Sequence, residues 1–330
     1  MISGPYGSGK TQTLFYLQHF LKEETPSSAK GTPHTAYFAA EMRSNSTASH
    51  LHMQLMETLG KDTVANWVRK LFDKSPDLDV SLARLTEDPN IRIALKELRG
   101  VGDTAFASWR WLTGQPLKGT ELNNLQLTRN LGELGASDLV SALVATGNLA
   151  DHVNEKLIFL IDEMEELQNV RTGDAADSIH QYFRRLAEPA NSTVGFIVGF
   201  KADVPDEAPL MLRKEDVRGR IGPSNYVDIR SLSVIPDVKA FVGELLKNLT
   251  DETRTTARVS GQKLSSSFGI FPFSESALDL LAAHATGDPT KEFPRYIINT
   301  INECAIQAWD EKKALIDDSI VNIVAGYAFG

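Results

Sequence analysis

The stretch Gly4-Pro5-Tyr6-Gly7-Ser8-Gly9-Lys10-Thr11 decides the reading of this chain, and Leu157-Ile158-Phe159-Leu160-Ile161-Asp162-Glu163 completes it. The first stretch fits GxxxxGK[ST]. In that pattern the glycines let the backbone curl so that successive N–H groups point at phosphate oxygens. The lysine reaches the β- and γ-phosphates, and the hydroxyl of the last residue ligates Mg2+. A helix opening at Lys10 adds the positive end of its dipole. ATP with Mg2+ is therefore the expected ligand, with Gly4 through Gln12 as the phosphate-binding set and Thr11 as a metal ligand. At average composition such a match arises by chance in about one in a hundred chains of this length. The bland alternative is a glycine-rich turn before a helix, and the strand-loop-helix context weighs against it.

The second stretch is a continuous apolar run, as a strand buried on both faces requires, and it ends in two carboxylates. In phosphate-loop NTPases an acid at this strand end holds Mg2+, so Asp162 joins Thr11 as an expected metal ligand. An adjacent glutamate can orient and deprotonate the attacking water, which makes Glu163, with Lys10, an expected catalytic residue. The alternative is a buried strand that ends in solvated acids. Glu165 and Glu166 read as a solvated helix start without a role.

Working outward, Lys10 to Glu23 reads as a helix with Leu14, Leu17 and Leu21 on its inner stripe. Residues 24–33 form a Pro-, Ser- and Gly-rich loop. Strands are predicted over His34–Ala40, Lys156–Ile161, Val194–Phe200 and Tyr226–Ile229, and helices over Thr47–Leu59 and Asp174–Glu188. Residues 61–150 lack strand-like alternation and read as a helical insertion. After Pro236 the strands stop, and Val238, Phe241, Val242, Leu245, Leu246 and Leu249 make a helical stripe. Further helices are predicted at 274–285, 294–311 and 316–327. Strands alternating with helices, then helices alone, predict an α/β domain over 1–232 with a parallel sheet of about five strands. An α-helical lid follows over 233–330. The lead before the phosphate loop is short: Met1-Ile2-Ser3 must form a very short strand, or an upstream segment is missing, and the second reading is favoured.

Bulk properties exclude several classes. The chain has 330 residues, 42% hydrophobic and 23% charged, so it can bury a real core. Its net charge of −9 argues against whole-surface attraction to nucleic acid or an anionic membrane, while a local basic patch such as Arg213, Lys214 and Arg218 stays open. The single cysteine, Cys304, rules out an intrachain disulfide and a cysteine-built zinc site, and points to a reducing, cytoplasmic setting. Cys304 shares a helix face with Ile297, Ile301 and Ala308, a core position. There is no signal-peptide pattern, and no apolar run is long enough to span a bilayer. The histidines show no ligand spacing, since His50 and His52 fall on different sides of a helix. Trp109 and Trp111 can stack bases or pack in a core, and the core reading is preferred.

Phosphate loop, carboxylate pair and helical C-terminal third together resemble the AAA+ ATPases, and within them the origin-recognition and helicase-loader branch. Tyr37-Phe38-Ala39-Ala40-Glu41, with the turn and helix up to Leu59-Gly60, resembles that branch's second strand and following helix. Val217-Arg218-Gly219-Arg220-Ile221-Gly222-Pro223 is similar to its arginine-finger segment, which implies that Arg220 reaches a neighbouring subunit's site. Arg218 and Arg220 as solvated loop charges are the alternative. Pro294-Arg295 opens a helix as the sensor-2 arginine does, which implies that Arg295 reports the nucleotide from the lid. The insertion, with Trp109 to Leu112 and Gly114, weakly resembles ATPases of BREX-type phage-defence systems. The chain departs from the family where an asparagine usually ends the fourth strand: here stands Gly199-Phe200-Lys201-Ala202-Asp203, with Lys201 or Asp203 as substitutes. Four extra residues also separate Gly287-Asp288-Pro289 from Pro294-Arg295.

The resulting expectation is an ATP-binding and ATP-hydrolysing protein that couples nucleotide state to assembly and to action on DNA or a DNA-acting partner. It implies a homo-oligomer or a heteromeric assembly and no membrane. One alternative is an ATP-dependent switch or scaffold of a defence or transposition complex with little hydrolysis. Another is a P-loop kinase acting on a small molecule.

Overall fold

A computed structural model describes residues 1–23, 31–75, 77–202 and 209–327. The chain divides into two compact units, Met1–Gly4 with Lys10–Asp228, and Pro5–Gly9 with Ile229–Gly330. The sequence pattern alone places the boundary at 232 and keeps the phosphate loop with the first unit.

The first unit is built on strands β1 (Ile2–Gly4), β2 (Thr32–Ala39), β3 (Glu155–Asp162), β4 (Val194–Lys201) and β5 (Val227–Asp228). They form one parallel sheet in the order β2-β3-β4-β1-β5. The short lead before the loop is a strand. Ile2 pairs with Gly199 on one side and with Val227 on the other, and Ser3 likewise with Phe200 and Asp228, while Gly4 pairs with Lys201 of β4. In β3, Leu157, Phe159, Leu160, Ile161 and Asp162 are all buried, the signature of a strand covered on both faces. The order puts β4 between the strand before the phosphate loop and the strand that carries the two acids.

Helices pack around this sheet. Helix α1 (Lys10–Glu23) follows the loop, with Leu14 fully buried and Leu17 and Leu21 half-buried. Helix α2 (Ala48–Leu59) follows β2. The insertion is helical, as its lack of strand-like alternation predicts: α3 (Lys61–Lys74), α4 (Leu78–Leu85), α5 (Pro89–Glu97), α6 (Asp103–Leu112), α7 (Gly119–Leu125) and α8 (Ala136–His152). Its ends are set locally. At α5, for example, the Asp88 carboxylate accepts from the N–H groups of Asn90 and Ile91 at 2.7 and 3.3 Å, and Pro89 supplies the preset first turn. Trp67 and Trp111 lie in its core and Trp109 is buried too, so none of them offers a face to a base. Helix α9 (Asp174–Leu186) buries Ile179, Tyr182 and Phe183.

Ahead of β5 lie two short helices, α10 (Leu210–Arg213) and α11 (Glu215–Ile221), so Arg218 and Arg220 are helical and not the loop charges of the alternative reading.

The second unit holds α12 (Ile235–Leu249), α13 (Glu252–Gln262), α14 (Glu275–Thr286), α15 (Pro294–Asp310) and α16 (Asp318–Tyr327). Its core gathers Val238, Val242, Leu246, Phe273, Leu281, Ile297, Cys304 and Ile320. Cys304 is a core residue, and burial first, with Glu303 nearby, pushes its thiol up to about 12. Leu249, placed on the inner stripe by periodicity, is 71% exposed at the end of α12. No helix among the described residues is long and apolar enough to cross a membrane.

Candidate functional site

The two motifs, far apart in sequence, meet where β1 and β3 end. β1 stops at Gly4, the loop runs through Pro5–Gly9, and α1 opens at Lys10. Gly7 and Gly9 have φ of +82° and +99°, the left-handed region that glycine enters without a steric cost. The Ser8 N–H donates to the Pro5 carbonyl at 3.3 Å, which closes the curl. The Ser8 hydroxyl is buried, yet it has no hydrogen-bond partner. A buried polar atom left unpaired is costly, so this one marks a place where a ligand's polar atom fits. The Lys10 ammonium turns back to the Gly4 carbonyl at 2.9 Å and so carries its charge at the loop. Pro5 is half-buried, and Tyr6 and Gln12 are exposed.

Thr11 and Asp162 form the centre. Thr11 Oγ1 donates to Asp162 Oδ2 at 2.5 Å, across 151 positions of sequence. Asp162 is 3% exposed, and its other oxygen, Oδ1, accepts from the Glu163 N–H at 2.9 Å. A third donor is Tyr37 of β2, whose Oη lies 3.3 Å from Oδ2. Burial first, and then the charge and hydrogen bond of Asp162, push the Tyr37 phenol up to about 12, so it remains a donor at neutral pH. The carboxylate also needs space. A Cβ on Gly199 of β4 would lie 3.1 Å from Asp162 Oδ1 and 3.2 Å from Leu14 of α1, so any side chain there would crowd the carboxylate and press it or Leu14 aside.

This set suits Mg2+. The cation takes hard oxygen ligands, one or two from carboxylates and the rest from phosphate and water. No group of three or more His, Cys, Asp or Glu side chains among the described residues forms a self-sufficient metal cage. Thr11 and Asp162 would therefore share the ion with the ligand's phosphates.

Glu163 follows directly. Its backbone is left-handed, with φ of +56°, a conformation that costs a non-glycine residue energy and turns the chain sharply after β3. Its side chain is exposed, and its carboxyl is raised above the usual range, by partial burial first and then by the charges of Asp162, Glu165 and Glu166. A carboxylate of raised basicity is a better proton acceptor near neutrality.

The remaining expected residues are bonded to neighbours of their own. Lys201 is exposed at the end of β4, and its backbone N–H donates to Glu165 Oε2 at 2.8 Å. Glu165, read as simply solvated, thus braces the strand beside the one that ends in Asp162. Asp203 lies outside the described residues. Arg220 Nη1 donates to the Arg184 carbonyl at 2.6 Å, with Glu188 at 3.5 Å, so within one chain it ties α11 to the end of α9. In the second unit, Arg295 sits in the first turn of α15. Its guanidinium lies 4.5 Å from the Tyr6 ring centroid and donates to the Tyr6 hydroxyl, and the Arg295 backbone N–H donates to the Gly7 carbonyl at 3.4 Å.

Sequence reasoning gave no role to Tyr37 or Gly199. Tyr37 was quoted for its segment alone, and its reach to Asp162 depends on strand register. Gly199 reads as any strand glycine until its neighbours are known. No protein-family model matches the chain, and no curated protein matches it significantly in sequence.

Proposed function

We propose that this chain binds Mg·ATP and hydrolyses it. The observation that carries the proposal is the 2.5 Å hydrogen bond from Thr11 to Asp162, which joins the phosphate loop to the acidic strand end. Two motifs that each have a bland explanation alone have a common one when they share a hydrogen bond. The loop N–H groups and the Lys10 ammonium receive the phosphates, and the Ser8 hydroxyl gains the partner it lacks. Mg2+, when bound, neutralises charge on the phosphate oxygens and orients them. Glu163 takes the proton from water as that water attacks the γ-phosphorus in line, while the bond from the γ-phosphorus to the β–γ bridging oxygen breaks and its electrons leave with ADP. Lys10 stabilises the negative charge that develops on the β- and γ-phosphate oxygens.

The family proposal is AAA+, near the origin-recognition and helicase-loader branch. In it the C-terminal helical unit acts as the lid, Arg295 responds to nucleotide, and Arg220 serves a neighbouring subunit. To do so Arg220 must leave the Arg184 carbonyl. Nucleotide state would then govern assembly and action on DNA or a DNA-acting partner.

A second reading, an ATP-dependent switch with little hydrolysis, is favoured by the exposed Lys201 at the end of β4 and by Arg220 being held inside its own chain.

Glu163→Gln tests the main reading, because it keeps size and polarity but cannot accept a proton. Turnover, followed by phosphate release, should fall about 10²–10⁴-fold while Mg·ATP binding is retained. Wild-type protein that binds Mg·ATP and releases no phosphate above background, alone or concentrated enough to assemble, selects the switch instead.

A further inference from the structure

The hydrogen bond to Asp162 from outside the two motifs has a consequence for metal binding. Asp162 Oδ2 accepts from both Thr11 and Tyr37, and Oδ1 accepts from the Glu163 N–H. Thr11 and Glu163 belong to the motif segments. Tyr37 comes from β2, and strand register explains how it reaches. Across the β2-β3 pair, Ala39 stands opposite Asp162 and Tyr37 opposite Leu160. Tyr37 and Ala39 share a face, so Tyr37 is the diagonal neighbour of Asp162. Such neighbours lie about 7–8 Å apart, within reach of an aromatic side chain.

The ring is held in place. Phe15 of α1 packs on it with centroids 4.6 Å apart and planes at 44°. Phe15 lies one helical turn after Thr11, so the helix that brings the Thr11 hydroxyl to Asp162 also fixes the ring that brings the third donor. Toward β4, Asp162 Oδ1 lies against Gly199, whose missing Cβ would be 3.1 Å away. Thr11 alone would leave the carboxylate free to turn about its Cβ–Cγ bond. Three donors on its two oxygens favour one orientation.

We infer that Tyr37 is a positioning residue: its hydroxyl orients the Asp162 carboxylate for the metal that accompanies the nucleotide. This rests on the Mg·ATP reading of the site. The cost of ordering the carboxylate is met in folding and does not recur at metal binding. Partners of metal ligands act in this way, and removing one typically costs about 10–100-fold in metal affinity or activity. The 3.3 Å separation is long for an O–H···O hydrogen bond, which places the expected loss at the lower end of that range.

Tyr37→Phe deletes the hydroxyl and leaves the ring on Phe15. Mn2+ serves as the probe, titrated by electron paramagnetic resonance into full-length protein saturated with a non-hydrolysable ATP analogue. The analogue's own affinity is measured in EDTA, and the melting temperature alongside. The inference expects Mn2+ affinity about tenfold weaker in Tyr37→Phe, with metal-free nucleotide affinity and melting temperature close to wild type. Unchanged Mn2+ affinity overturns it. Loss of metal-free nucleotide affinity in step with Mn2+ affinity also overturns it, since the hydroxyl would then serve the fold or the nucleotide. A wild-type protein that binds the analogue neither with nor without Mn2+ overturns the nucleotide reading itself, an outcome distinct from both.

Discussion

The helical insertion and the ends of β1 and β3 treat buried polar groups in opposite ways. In and around the insertion, polar groups are paired off. His52 is fully buried between the Tyr182 hydroxyl at 3.0 Å and the Leu112 carbonyl at 2.9 Å. Glu155 takes the Trp67 indole N–H at 2.8 Å and the Lys70 ammonium at 2.7 Å. Arg129 bonds Asp88 at 2.9 Å and reaches Asp138 at 3.4 Å, and its carbonyl accepts from Trp111 at 2.8 Å. The Ser108 hydroxyl is an exception. At the strand ends, by contrast, Ser8 is buried without a partner, Glu163 sits on left-handed backbone, and its carboxyl is raised. Satisfied networks specify a fold, and groups left strained or unpaired are where a fold gives up stability for function. The proposed site is where an unpartnered buried hydroxyl and a left-handed non-glycine residue adjoin the two motifs; Gln126 in the insertion and Thr35 in β2 each carry one of these features alone.

The comparison breaks most visibly at Trp111. Its side chain is 1% exposed and its N–H is bonded, so Trp111→Ala should destabilise the protein by about 3–5 kcal/mol. Urea unfolding monitored by circular dichroism measures this. Nucleotide affinity of the fraction that remains folded should be unchanged. A loss of affinity without a loss of stability would make the insertion part of the site.

A smaller effect sharpens it. Burial holds His52 down at about 4, against 6.5 in an unfolded chain. As pH falls below 6.5 the unfolded state takes up a proton that folded His52 does not. The stability contribution is therefore complete above pH 6.5 and is lost as pH falls toward 4. At pH 5 the loss from this group is on the order of 2 kcal/mol. His52→Gln offers a donor and an acceptor without titrating, and should flatten the pH dependence of unfolding over that window. An identical slope in the variant would mean that His52 is protonated in the folded protein.

What was legible in sequence follows the same division. β3 and the phosphate loop announce themselves, because a strand buried on both faces is a continuous apolar run and a phosphate loop has fixed chemistry. Helix α1 runs over the residues predicted. Helix α13 was not foreseen because it buries Thr255 alone, and α11 buries only Val217, so neither carries an apolar stripe to read. Leu249 shows the reverse error, an apolar residue in phase with its helix but beyond the core. β5, expected over Tyr226–Ile229, is present but only two residues long, Val227–Asp228, both exposed. Tyr37 and Gly199 were invisible for a different reason. Their roles depend on β2-β3 register and on β4 lying beside both β3 and β1, relations between strands distant in sequence.

The most direct test of the account is calorimetric titration of Mg·ATP into wild-type protein and Lys10→Ala. The Lys10 side chain contributes the ammonium at the loop and is bonded to the Gly4 carbonyl there. Wild type should bind, and the variant should lose at least about tenfold in affinity, as expected when a charged hydrogen-bonding partner of a ligand is removed. Both should melt at closely similar temperatures. Equal binding of Mg·ATP by the two proteins, or no binding by the wild type, would contradict it.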